Sequence, residues 1–250
     1  MLKKQVWIAV AVLVAAMLGA ASVWLSMSGA QAPGGAGQAS KPIGQVASPS
    51  VDAAATPSAK PPHPFPDLRR SREGLEIAQD PFSSGHPEER RWLDQHGFPN
   101  GAQWTRYQRA SDAELDQAAR AGDTVAATMR DALRLGADPT AESRLLAAGA
   151  EGDLFALSLL SSWKAGAHAA GIPEAYAISR VAEMRGDLTT ALHREMMLGG
   201  RLTSEQRLLA EAEALHLNLH LNALYRQKHG VDPPPVEMRP YQVDPDDTQR

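Results

Sequence analysis

The chain contains no cysteine. That single absence removes a disulfide framework and a thiolate nucleophile, and it leaves histidine and carboxylate as the only side chains able to hold a zinc ion. An excess of positive charge is also missing. Twenty-five basic residues face 29 acidic ones for a net charge of −4, and no Lys/Arg stripe runs along the sequence, so nucleic acid is not an expected partner. Aromatic residues make up only 5%. There is no G-x-S-x-G nucleophile turn, no phosphate loop and no paired-carboxylate motif, and Gly34-Gly35-Ala36-Gly37 lacks the strand and helix that would make it one. Enzyme chemistry therefore has no positive support, and no cofactor is expected.

One long apolar run is present. Lys3 and Lys4 precede an uncharged stretch whose first portion, Val6 to Met27, is long enough to span a bilayer. Trp7 and Trp24 stand about 25 Å apart at helical rise, which puts one ring near each membrane interface. Because the positive end stays inside, the expectation is a single-pass inner-membrane protein with its C-terminal domain in the periplasm. The alternative is a cleaved signal peptide, since Ala30-Gln31-Ala32 has the form of a cleavage site, although Pro33 stands just after the cut. The composition divides the chain into a cytoplasmic end at 1–4, an anchor at 5–28, a disordered Pro/Ala/Gly/Ser linker at 29–66, an aromatic-rich N-terminal cap at 67–110, helical repeats at 111–230 and a disordered tail at 231–250.

Within 111–230 one pattern recurs three times around a Gly-Asp pair: Gly122-Asp123, Gly152-Asp153 and Gly186-Asp187. In each copy an Ala sits four residues before the Gly and a small residue four after. A large apolar residue, Leu133, Trp163 or Met197, follows at eleven, and a second Gly, Gly136, Gly166 or Gly200, at fourteen. Intervals of 30 and 34 residues between the pairs predict stacked helical hairpins. The Gly takes the left-handed conformation that ends one helix, and the Asp accepts the first free N–H groups of the next. The small residues let the two helices approach closely, the large one fills the gap away from the turn, and the second Gly closes the hairpin. The fold class expected is all-α, a short α-solenoid of about three hairpins closed by a long C-terminal helix.

Ala118-Ala119-Arg120-Ala121-Gly122-Asp123, with a Gly ending the second helix, resembles the Sel1-like repeat, a relative of the tetratricopeptide repeat. The likeness spans roughly residues 111–200. It implies an adaptor that holds a protein or peptide on a helical surface, here an envelope component, and brings no catalytic residue with it.

Two further features invite a binding role. Phe82, Trp92, Phe98, Trp104 and Tyr107 cluster in the cap segment, where they cover the open end of the first hairpin or, through Trp92, Trp104 and Tyr107, form an aromatic groove for a peptide or glycan. His216 and His220 lie at i, i+4 on the C-terminal helix. That spacing can hold zinc, but Leu217 replaces the metalloprotease Glu, and a third ligand such as His193 must come from another helix. The C-terminal helix has two apolar faces, Leu208/Ala212/Leu215/Leu219/Ala223 and Ala210/Ala214/Leu217/Leu221/Leu224. One is expected to close the solenoid, and the other is free for a neighbour, a partner or a second copy.

Overall fold

A computed structural model of the chain describes residues 60–76, 80–83, 86–167 and 171–240. The apolar stretch Val6–Met27 and its cleavage alternative lie outside the described residues, and no described helix is long and apolar enough to cross a membrane. Among the described residues the architecture is all-α, nine helices without a strand. Helices α1 (Pro87–Gln95) and α2 (Gly101–Tyr107) lead into three consecutive pairs. These are α3 (Asp112–Arg120) with α4 (Thr124–Leu133), α5 (Ala141–Ala150) with α6 (Leu154–Ala167), and α7 (Ile172–Met184) with α8 (Leu188–Met197). A 3-10 turn, Gly199–Arg201, precedes the long α9 (Ser204–His229).

The helix starts follow from local polar chemistry. Asn100, Ser111 and Thr203 each accept the N–H of the third helical residue, and Gln103, Glu114 and Gln206 reach back to the cap N–H, so two orphan donors are satisfied at each start. The Asp138 carboxylate binds the Thr140 N–H (2.9 Å) and hydroxyl (2.7 Å) in a side-chain turn, which delays α5 to Ala141.

The core centres on α6, whose Leu154, Phe155, Leu157, Leu159 and Leu160 are fully buried. Its most extensive neighbour is α7. Ser161, buried in that seam, bonds the Ala175 carbonyl (2.8 Å) and the Ser179 hydroxyl (2.7 Å), so the polar atoms carried into the core are paired. Helix α9 lies parallel to α7. Its Glu211 meets Tyr176 (3.0 Å) and Arg180 (3.0 Å), its Asn218 and Asn222 meet Arg185 (3.2 and 2.7 Å), and its last turn reaches Glu151 at the end of α5.

Several details depart from the sequence reading. Leu133 and Met197 fill no gap. They are 61% and 41% exposed, because each is the final residue of its helix and no partner helix extends over it. Trp163 sits inside the longer α6 and is half-buried beside Gly136. Only Gly136 of the three second glycines has a positive φ; Gly166 lies within α6 and Gly200 in the 3-10 turn. Residues 60–66 and 231–240, assigned by composition to linker and tail, pack on the helices: Phe65 is buried against Tyr107, and Arg239 is buried between helices.

Candidate functional site

At the three Gly-Asp corners, Gly122, Gly152 and Gly186 have φ of +98°, +96° and +110°, a region open to glycine at low cost. The Asp N–H in each corner donates back to Ala118, Ala148 or Ala182 at 3.0–3.1 Å, closing the same helix-ending ring. Asp123 and Asp153 then accept the N–H of Ala126 and Ala156, both at 2.9 Å. Asp187 differs. Its carboxylate takes the Thr190 hydroxyl (2.6 Å) and Arg239 (3.3 Å) in place of a backbone N–H.

Every corner receives a second segment of chain. On Asp123 Oδ2 converge His63 Nε2 (3.2 Å), Arg70 Nε (3.2 Å) and the Tyr107 hydroxyl (2.6 Å), which fasten residues 63–70 to the first hairpin. Burial and the Asp123 carboxylate together push the Tyr107 hydroxyl well above its ordinary pKa. At the second corner the N–H groups of Leu154 and Phe155 donate to the His96 carbonyl (3.1 and 3.4 Å), and Thr128 donates to Asp153 Oδ2 (2.6 Å). Gly97 lies directly on the Asp153 carboxylate, where a Cβ would collide with it. Although the residue as a whole is partly exposed, that enclosure pushes the Asp153 carboxyl up to about 6, against the lowering effect of its hydrogen bonds. At the third corner the Arg239 N–H donates to the Gly186 carbonyl (2.8 Å). The Arg239 guanidinium spans Asp187 and Glu89 (2.7 Å) and also donates to the Phe82 carbonyl (2.8 Å). The polar groups of this edge are therefore engaged with the chain itself.

The aromatic groove does not form. Tyr107 is fully buried against Phe65 and Trp92 against Phe98, and half-buried Trp104 joins Phe82, Phe98 and Phe155 in one cluster with centroids 5.5–6.2 Å apart. The Trp92 indole N–H donates to the Glu237 carbonyl (2.9 Å) under the returning chain. Beneath the cluster, buried Arg72 binds Asp80 (2.5 Å), Asp94 (2.6 Å) and the carbonyls of Phe98 and Pro99.

His216 and His220 point outward on α9, and His193 sits half-buried on α8 with its pKa lowered by desolvation. Among the described residues no three His, Asp or Glu side chains are placed to hold a metal ion. The surface hollows beside Thr105 and Arg109 and beside Leu202 and Arg207 are shallow and open, unlike the enclosed pockets that bind small molecules.

What the surface does offer is apolar. Of the two α9 faces, Ala210, Ala214 and Leu221 dock on the core, while Leu208, Leu215 and Leu219 face outward. On α8, Leu188, Leu192 and Met196 stand exposed at i, i+4, i+8, one continuous strip. The sequence reading missed this strip, and its signal was the apolar period on a helix short of packing partners. No family model, curated protein or solved structure matches the chain.

Proposed function

We propose that the chain is a membrane-tethered helical adaptor outside the cytoplasm, holding a protein partner on the hairpin surface. The observation that carries this reading is the α8 strip, with Leu192 and Met196 each 57% exposed. Exposed contiguous apolar surface of this kind marks interaction sites, and methionine gives such a surface the adaptability to fit a helix or extended segment. The resemblance to Sel1-like repeats and the anchor expected at Val6–Met27 support the same reading and supply the inner membrane as its location.

The test is photo-crosslinking in cells with probes placed singly at Leu192, Met196 and, as a remote control, Ser143. The expected outcome is one protein captured from both α8 positions and absent from Ser143. Introducing Leu192→Asp should abolish the capture from Met196 while leaving the helical signal of the purified protein unchanged. Capture of nothing at α8, or equal capture at all three sites, overturns the assignment.

A further inference from the structure

The outward face of α9 carries a pattern of its own. Leu208, Ala212, Leu215 and Leu219 follow a 4-3-4 spacing, the seam of a coiled coil. Exposed Glu205 lies on the same face one turn before, and exposed Ala223 and Arg226 one and two turns after. Leu208, Leu215 and Leu219 are 72%, 60% and 60% exposed. With neighbouring Leu209 the stripe presents on the order of 500 Å² of apolar surface, at the upper end of what a monomer leaves contiguous. That is more than half of the roughly 800 Å² per partner found in a standard interface.

We infer that this face pairs with the same face of a second copy, the two α9 helices running antiparallel across a two-fold axis that passes between Leu215 and His216. The order of residues along the stripe selects this arrangement. Antiparallel pairing sets Glu205 against the second copy's Arg226, whose guanidinium is bonded to the exposed Asp232 (3.0 Å). It also sets Leu208 against Ala223 and Ala212 against Leu219, so each of these leucines meets an alanine, while Leu215 lies at the axis beside its own copy. Parallel pairing would place Glu205 on Glu205 and Arg226 on Arg226, with a void wherever alanine faces alanine. A two-fold axis makes the patch self-complementary, as a closed dimer requires. The inference concerns a different helix from the adaptor surface and does not depend on it.

The absence of native cysteine makes the test direct on the full chain, purified in detergent. Under mild oxidation Leu215→Cys should link to itself at least tenfold faster than the exposed control Ser143→Cys. Leu208→Cys alone should not self-link, whereas a mixture of Leu208→Cys and Ala223→Cys chains should form the mixed dimer. Self-linking of Leu208→Cys as fast as that of Leu215→Cys overturns the antiparallel arrangement. A Leu215→Cys chain no faster than the control overturns the dimer, and is the outcome if another protein or the chain's own apolar N-terminus covers the stripe. Sedimentation gives a second readout. Wild type should be dimeric at tens of micromolar and Leu215→Glu/Leu219→Glu monomeric, with equal helical content; a monomeric wild type overturns the inference.

Discussion

Enclosed by Gly97, the Asp153 carboxylate gives the fold a pH dependence whose direction is fixed by its raised pKa. With a folded pKa of about 6 against an ordinary 3.8, the folded chain holds a proton that the unfolded chain releases. The stability this provides is fully present below pH 4 and is lost as the pH rises through 6. Across that window the loss is about 2–3 kcal/mol. Asp153→Asn keeps an acceptor for the Ala156 N–H and an amide for the Thr128 hydroxyl, so it should remove the slope. Urea unfolding from pH 4 to 7.5 should show the variant gaining on wild type as the pH rises, and parallel curves would refute the assignment. Gly97 supplies a companion comparison. Gly97→Ala and Gly152→Ala both force alanine into a left-handed backbone, at about 1–2 kcal/mol. Only Gly97 also drives a Cβ into the Asp153 carboxylate, while Gly152 has open space around it. Thermal melts should therefore rank Gly97→Ala well below Gly152→Ala, and equal melting would mean the two corners are not differently crowded.

Among the elements, the returning strap 231–240 is held by one residue more than by any apolar contact. Removing the Arg239 guanidinium takes a cation from two buried carboxylates, Glu89 and Asp187, a change worth about 3–5 kcal/mol where the site cannot relax. Here the strap can peel away and let water reach both acids. The expected outcome for Arg239→Ala is thus a modest fall in melting temperature together with faster proteolysis within 231–240 and a red shift of tryptophan emission, since Trp92 lies under Glu237. Unchanged emission and proteolysis would show that the strap is held elsewhere. This contrast marks what the sequence could convey. Gly122-Asp123 and its two companions act over four or five residues, and the helix ends they set were legible to within a residue, whereas the departure of Asp187 from the expected cap was not. So were the two faces of α9, because a 26-residue helix shows its period in full. His63 on Asp123 and Arg239 on Asp187 join residues 60 and 52 apart, inside segments whose proline-rich composition reads as unstructured. Which of the two readings of Trp92 and Tyr107 holds, packed cap or open groove, was illegible for the same reason, since nothing local says that Phe65 and residues 237–239 will cover them.

For the whole molecule, the three corners act as a row of clasps: the leading segment on the first, the Gly97 turn on the second, the strap on the third. The leading segment joins the domain at the first hairpin, whereas the exposed faces belong to α8 and α9 at the other end of the chain order. In the adaptor reading this separates the attachment to the tether from the surfaces offered to partners. It also fixes what the folding unit is. Composition draws its limits at 67 and 230, but the clasps extend it at least to His63 and Arg239. A 67–230 fragment loses buried Phe65, the His63 contact to Asp123 and the Arg239 cluster. Truncating one buried aromatic alone costs about 3–5 kcal/mol, and for a domain of this size each kcal/mol lowers the melting temperature by about 2–4 °C. The 60–240 fragment should therefore melt at least 10 °C above the 67–230 fragment, with 60–230 and 67–240 between them. Because the two segments sit on different corners, their losses should add. Equal melting of all four fragments would reduce both segments to passengers, while a shift confined to one would locate the stability at that corner alone.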